Sequence, residues 1–174
     1  MLHAWKLCSI LHIVFQEAAM NIYDSPEFTA LVEISRLANS LQNVMDMGMD
    51  DITSRQWLPL MILGRCEESP NLNQLAEKCG ITRQSAKQLV DKLAEKGLVK
   101  IEKANNDRRN IRIVITRKGR NWGANNLDRN LMFVEELFGG ISAKDIKTFC
   151  NVQQKLLLRL SDMKEQLITE GVNE

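Results

Sequence analysis

Several residue types are scarce in this sequence, and each scarcity narrows the class of protein. The 174 residues include only two histidines, His3 and His12, and four cysteines with no Cys-x-x-Cys pair. A structural zinc site and a disulfide framework are therefore not expected, and the thiols are predicted to be reduced and mostly buried. No apolar run reaches the roughly 20 residues that span a bilayer. We therefore expect a cytoplasmic protein with no membrane partner.

Motifs that support catalysis are also missing. The sequence has no phosphate-binding loop and no metal-ligand spacing, and no histidine lies beyond the first dozen residues to act as a general base. We therefore expect a protein that is not an enzyme and that needs neither a metal nor a cofactor. With 44% hydrophobic residues, the chain can form one ordinary core but not two large domains.

Charge is plentiful but unevenly distributed. The formal net charge is only +1, yet Thr82 to Arg120 contains twelve basic and four acidic residues. That segment therefore carries +8 and the remainder carries −7. A basic module on an acidic frame predicts an anionic partner.

Helical periodicity dominates both ends of the chain. Ser25-Pro26 is a helix start signal, and apolar residues follow it at helical spacing. A second helix is predicted from Thr53 or Ser54, with Pro59 tolerable only within about its first turn. Two long helical patterns close the chain, from about 117 to 138 and from Ser142 to about 169. These ends carry more apolar surface than one small monomer can cover, which predicts a symmetric homodimer.

A helix-turn-helix pattern lies between these ends. In "LAEKCGITRQSAKQLVDKLAEKG", a short helix stops at Gly80, and Thr82 caps a second helix that ends at Gly97. The outer N-terminal half of that second helix carries side chains that bind base edges or phosphates. The predicted DNA-binding residues here are Thr82, Arg83, Gln84, Ser85, Lys87 and Gln88. A solvated face on an ordinary helix is the alternative interpretation.

A β-hairpin follows this helix at once. "LVKIEK" (98–103) and "IRIVIT" (111–116) alternate with a period of two, and Asn105-Asn106 marks the turn between them. Asp107 is followed by two adjacent arginines, Arg108 and Arg109, which place positive charge at the tip.

The segment from Leu75 to Arg120 resembles the winged helix-turn-helix core of the MarR family of bacterial transcriptional regulators. Two motifs carry the resemblance: the Asp-x-Arg of the wing, residues 107–109, and the strand followed by Thr116 and Gly119. The resemblance covers about 54 to 120 closely, and the flanking helices fit by layout only. It implies that Arg109 enters the DNA minor groove and that Asp107 helps to hold it. A tip with Arg108 and Arg109 suits a narrow, electronegative minor groove.

The resulting fold class is mainly α with a small β-hairpin wing. The winged helix-turn-helix DNA-binding domain is assigned to 51–116, and the helical dimerisation region to 25–50 and 117–174. Residues 1–24 form an N-terminal extension with two open interpretations. It is a helix that packs on a partner subunit, or translation begins at Met20.

The resemblance also implies a homodimeric repressor that binds an inverted-repeat operator in double-stranded DNA and is released by a small aromatic ligand. Candidate pocket residues are Met45, Met49, Trp57 and Met61, although methionine and tryptophan at helical spacing are more often core residues. By position, Cys8 is the one candidate for redox sensing. The alternative function is a winged-helix protein-interaction module with weak or no DNA binding.

Overall fold

The computed structural model of this chain describes residues 23–103 and 111–170. Residues 1–22 of the N-terminal extension, with Cys8, lie outside the described residues, as do the turn at Asn105-Asn106 and the predicted tip residues Asp107, Arg108 and Arg109. The chain divides into two compact units, which separate between Gly123 and Ala124.

Seven helices and one hairpin form within the described residues. The helices are α1 (Pro26–Met47), α2 (Ser54–Arg65), α3 (Leu72–Cys79), α4 (Arg83–Glu95), α5 (Arg117–Asn125), α6 (Leu127–Phe138) and α7 (Ala143–Glu170). Strands β1 (Val99–Lys103) and β2 (Ile111–Ile115) lie between α4 and α5 and pair in antiparallel fashion. The predicted mainly α fold with a small hairpin is confirmed.

Side-chain caps set the starts of the first three helices. Ser25 Oγ accepts a hydrogen bond from the Phe28 N–H at 3.1 Å, and Pro26 occupies the first helical position. Thr53, rather than Ser54, caps α2 and forms a reciprocal capping box with the residue at N3. Asn71 does the same for α3. Each cap satisfies an N–H group that the helix itself leaves without an acceptor.

The core of the first unit draws on four different elements. Leu60 of α2, Leu75 of α3, Val90 and Leu93 of α4, and Ile113 of β2 are each at most 2% exposed. They belong to one continuous apolar cluster. The same core therefore fixes both α4 and the hairpin, the two elements predicted to contact DNA.

Two helix predictions need correction. The pattern from 117 to 138 is not one helix, because Asn126, with φ −102° and ψ 5°, separates α5 from α6. Asparagine competes for hydrogen bonds outside the helix and favours such junctions. Pro59 lies at the sixth position of α2, beyond the first turn. Its ring is fully buried, and this burial offsets the hydrogen bond that proline cannot donate.

The prediction of mostly buried thiols holds only in part. Cys66 and Cys79 are half-buried free thiols, whereas Cys150 on α7 is exposed. Cys150 is exposed because no residue of α7 is buried in this chain. The pKa of the Cys79 thiol is raised to about 11, mainly by burial and secondarily by the nearby Cys66.

Candidate nucleic-acid interface

Helix α4 has one buried face and one polar face. Ala86, Val90 and Leu93 are buried in the core, at most 2% exposed. The opposite face presents exposed side chains at Arg83, Gln84, Lys87 and Gln88, as the sequence predicted. The spacing follows from the helical period, because residues three or four apart share a face. The packing therefore turns every long hydrogen-bonding side chain of the N-terminal half outward.

The start of α4 is fixed by a tight turn and a cap. Gly80 adopts a left-handed conformation, φ 66°, which ends α3 and reverses the chain within a few residues. Thr82 Oγ1 accepts from the Ser85 N–H at 3.1 Å and donates to Ser85 Oγ at 2.9 Å. The predicted cap is confirmed. Thr82 and Ser85 are thus engaged with each other, and Ser85 is only half-exposed.

Lys87 is not a free cation on this surface. Its Nζ lies 2.6 Å from Oδ2 of Asp91, one helical turn further along α4. The Lys87 side chain is 65% exposed and that of Asp91 is 41% exposed, and a surface pair of this kind contributes only about 0–1 kcal/mol. A phosphate oxygen can therefore compete for the lysine without a large penalty.

The hairpin is held against the helix-turn-helix through its second strand. Ile113 lies opposite Ile101 in the register and is 1% exposed. Its backbone N–H donates to the carbonyl of Pro70, in the loop that precedes α3, at 2.9 Å. Lys100, Glu102 and Arg112 alternate with these apolar residues, so they lie on the opposite face of the hairpin.

Part of the basic segment stabilises the fold instead of facing a partner. Lys96 Nζ donates to the carbonyl of Asp51, and Lys118 Nζ donates to the carbonyl of Lys96 at 2.8 Å. Arg120 Nη1 donates to the carbonyl of Ile115 at 2.9 Å. Sequence reasoning missed these roles because each bond joins residues brought together by folding or by a turn. Consequently, the charge of +8 overstates the number of cations free to meet an anion.

The predicted pocket residues are partly buried. Met45, Met49, Trp57 and Met61 are all half-buried, and the last three pack against the core. None of the four lines the depression of about 580 Å³ between the end of α2, the 66–70 loop and α3. Met47, next to the candidate residues, is 88% exposed. The core-residue interpretation therefore describes much of their packing, and a ligand role stays a prediction.

Comparison with known proteins shows which family this part of the chain resembles. Residues 50–110 match the family model described as "MarR family". This part of the chain is therefore similar to the MarR family. Because the match ends at residue 110, it includes the turn after α3, all of α4, β1 and the segment with Asp107 to Arg109.

Solved MarR structures share the fold over most of this chain. A MarR/EmrR family transcriptional regulator from Acinetobacter sp. ADP1 is 17% identical, covers 79% of this chain and 99% of its own, and has a TM-score of 0.71. A MarR transcriptional regulator from Methanosarcina mazei Go1 is 23% identical, with the same coverage and a TM-score of 0.66. CouR from Rhodococcus jostii RHA1, bound to p-coumaroyl-CoA, is 23% identical, covers 71% of this chain and 88% of its own, and has a TM-score of 0.64.

The chain therefore shares the fold of these solved structures. In residues 23–103 and 111–170, none of the helices is long and apolar enough to cross a bilayer.

Proposed function

We propose that this protein is a homodimeric, sequence-specific DNA-binding repressor that a small ligand releases from its operator. The observation that carries the proposal is the polar face of α4. Its exposed side chains, at Arg83, Gln84, Lys87 and Gln88, lie opposite a fully buried face, and the hairpin follows directly. A helix presented in this way fits the major groove with its N-terminal half toward the bases.

The side chains on α4 have the chemistry for base and phosphate contacts. Gln84 and Gln88 can form paired hydrogen bonds to adenine, and Arg83 can do so to guanine. Thr82 and the first turn of α4 present N–H groups that suit a phosphate. Ser85 is engaged with Thr82 and Lys87 with Asp91, so we assign these two residues to secondary contacts.

The wing tip supplies the proposed minor-groove contact. We assign Arg109 to the groove, Asp107 to holding that arginine, and Arg108 to a neighbouring phosphate. These roles rest on the family motif and on the place of the three residues in the sequence, between β1 and β2.

The helices outside the winged domain support a homodimer. No residue of α1, α6 or α7 is buried in this chain. Large apolar side chains are half or more exposed along them, including Leu37 at 51%, Leu131 at 57% and Leu160 at 58%. Soluble monomers rarely leave such continuous apolar surface in water. A twofold dimer of this kind requires two half-sites roughly 34–36 Å apart in an inverted repeat.

Unpaired buried donors near the start of α2 support the ligand part of the proposal. Among the described residues, Ser54 Oγ and Trp57 Nε1 are buried with no hydrogen-bond partner. The two residues are three apart on one helix, so they share a face. Met45, Met49 and Met61 provide adaptable apolar surface nearby in sequence. We therefore propose a small aromatic ligand with an oxygen acceptor, a class to which the p-coumaroyl group bound by CouR belongs.

Fluorescence anisotropy with the upstream DNA of the gene and a scrambled duplex tests DNA binding. We expect preference for the upstream duplex and a log–log salt slope of about −0.9 per neutralised phosphate. Arg109→Ala and Gln84→Ala should each weaken binding about tenfold. Arg159→Ala is the matched control, because Arg159 is exposed on α7, outside the winged domain.

Two outcomes would contradict the proposal. If neither duplex is bound at low salt, the protein-interaction module replaces it. If Arg159→Ala weakens binding as much as Arg109→Ala, general charge and not the wing accounts for the affinity. The ligand claim is tested separately: p-coumaroyl-CoA should raise the Tm of wild type and not that of Trp57→Phe.

A further inference from the structure

A cluster of hydrogen bonds joins three parts of the winged domain at the root of the hairpin. Leu98 lies just before β1 and Thr116 just after β2, so both strands leave the domain at this point. The turn that contains Gly97 and Leu98 also follows the C-terminal end of α4. Besides the core contacts of Ile113, this root therefore helps to set the orientation of the wing relative to α4.

Thr116 makes most of these bonds itself. Its hydroxyl donates to the carbonyl of Gly97 at 2.7 Å and lies 3.1 Å from the carbonyl of Leu98. The same oxygen accepts from the N–H of Gly119 at 3.0 Å, which caps the start of α5. The Thr116 N–H donates to the Leu98 carbonyl at 3.0 Å. The Thr116 residue thus links the turn after α4, the end of β2 and the start of α5.

Gly119 permits this close approach. A Cβ atom at this position would lie 2.2 Å from the carbonyl oxygen of Leu98 and 2.8 Å from Cγ1 of Ile115. Real Cβ atoms do not come that close to backbone oxygen, so a side chain here would force α5 away from the turn. Gly119 is correspondingly buried.

Two long basic side chains reinforce the same junction. Lys118 Nζ reaches the carbonyl of Lys96, and Arg120 Nη1 reaches that of Ile115. Both carbonyls lie next to the turn or the strand exit that Thr116 joins. Such bonds from charged donors are stronger than neutral ones.

We propose that Thr116, seated against Gly119, is a positioning residue for DNA recognition that sets the wing at the angle from which its tip meets the minor groove. The inference rests on the proposed function, since it presupposes that the wing tip and α4 contact DNA together. Thr116 itself touches no DNA in this scheme. It acts by linking the two contacting elements.

A double-mutant cycle on DNA affinity tests the proposal. Arg109→Ala should cost about tenfold in affinity in wild type. In a Thr116→Val background, which keeps the shape but lacks the hydroxyl, the same substitution should cost only about twofold, because the misplaced wing has lost its contact. Gln84→Ala should cost the same in both backgrounds, and Thr116→Ser should restore the full effect of Arg109→Ala.

Hydrogen exchange provides a readout without DNA. In Thr116→Val the amides of Ile113 and Ile115 should exchange faster, while those in the middle of α4 keep the wild-type rate. A purely structural role would change both sets together. If Thr116→Val does not fold, Thr116→Ala takes its place. If neither variant folds, hydrogen exchange of the wild type still tests the proposal. Rapid exchange of the Thr116 and Gly119 amides would show that their hydrogen bonds are not stable, and this result would overturn the proposal.

The outcomes are distinguishable from failure of the proposed function. An equal cost of Arg109→Ala in the wild-type and Thr116→Val backgrounds overturns the positioning role and leaves DNA binding standing. If Arg109→Ala has no effect in wild type, or wild type binds no DNA, the wing contact itself is wrong and the positioning role falls with it.

Discussion

Helices α4 and α7 illustrate two different ways of using an amphipathic sequence. Helix α4 has 13 residues and buries three of them in the core of its own chain. Helix α7 has 28 residues and buries none, with Leu156, Leu160 and Leu167 between 41% and 68% exposed. The apolar stripe of α4 therefore packs in the core and leaves the polar face of the helix exposed. The apolar stripe of α7 is itself exposed. The difference separates a domain with its own core from a helix that we propose packs on a second copy of the chain.

Shortening one leucine on each helix is the strongest test of this difference between α4 and α7. Leu93 of α4 is fully buried, so Leu93→Ala should destabilise the winged domain by about 2–5 kcal/mol through lost burial and a cavity. Leu158→Ala removes a side chain that is 68% exposed in the single chain and should change the same transition by less than about 0.5 kcal/mol. Urea unfolding, monitored through hydrogen exchange of the α4 amides, measures the change in unfolding free energy for both variants. Similar losses would mean that the two stripes are equivalent.

A charge on the exposed stripe should disrupt assembly without unfolding the winged domain. Leu156→Glu combined with Leu160→Glu replaces two apolar side chains on one face of α7. Burying each leucine contributes about 1.5–3 kcal/mol, so the dimer dissociation constant should rise at least about a hundredfold. Light scattering after size exclusion measures the mass. Lys155→Glu, exposed on the polar side of α7, is the control and should leave the dimer intact. A monomeric wild type at micromolar concentration would falsify the dimer proposal.

Caps allow the same comparison at smaller scale. Thr53 Oγ1 accepts from the Gln56 N–H at 3.3 Å and starts α2, a helix with five buried residues. Ser142 Oγ accepts from the Asp145 N–H at 3.1 Å and starts α7. Thr53→Ala should lower the stability of the winged domain by about 1 kcal/mol. Ser142→Ala should fray α7 and leave that transition unchanged. Thermal melts measure the stability of the winged domain, and hydrogen exchange measures fraying in each helix.

The sequence predicted those features that local chemistry determines. The cap at Thr82, the stop at Gly80 and the outward face of α4 depend on residues within one or two turns of each other, and all three predictions are confirmed. The hydrogen bonds of Thr116 could not be predicted in this way. They join residues 18 and 19 positions apart, and only the paired strands bring those residues together.

The charge count was limited in the same way, because it also ignores contacts between residues that folding brings together. The excess of basic residues in 82–120 correctly marked the winged segment, but counting could not tell which cations stabilise the fold. Lys96 and Lys118 are committed to carbonyls, Lys87 is paired, and Arg83 lies exposed on α4. The break at Asn126 was missed because asparagine also occurs inside helices, so its presence alone does not mark a helix end.

The cysteines provide the last and smallest contrast between the two regions. The pKa of the Cys79 thiol is raised from 9.0 to about 11 in the folded domain, first by burial and then by Cys66. The neutral thiol is thus favoured in the native state, so its contribution to stability is fully present below pH 9 and is lost as pH rises from 9 towards 11. Wild-type Tm should fall over that range slightly more steeply than the Tm of Cys79→Ala, whose packing loss does not depend on pH. Cys150→Ala, which removes a thiol exposed on α7, is measured beside it as the control variant. Equal slopes for wild type and Cys79→Ala would show that the half-buried position of Cys79 does not distinguish it from a thiol in water.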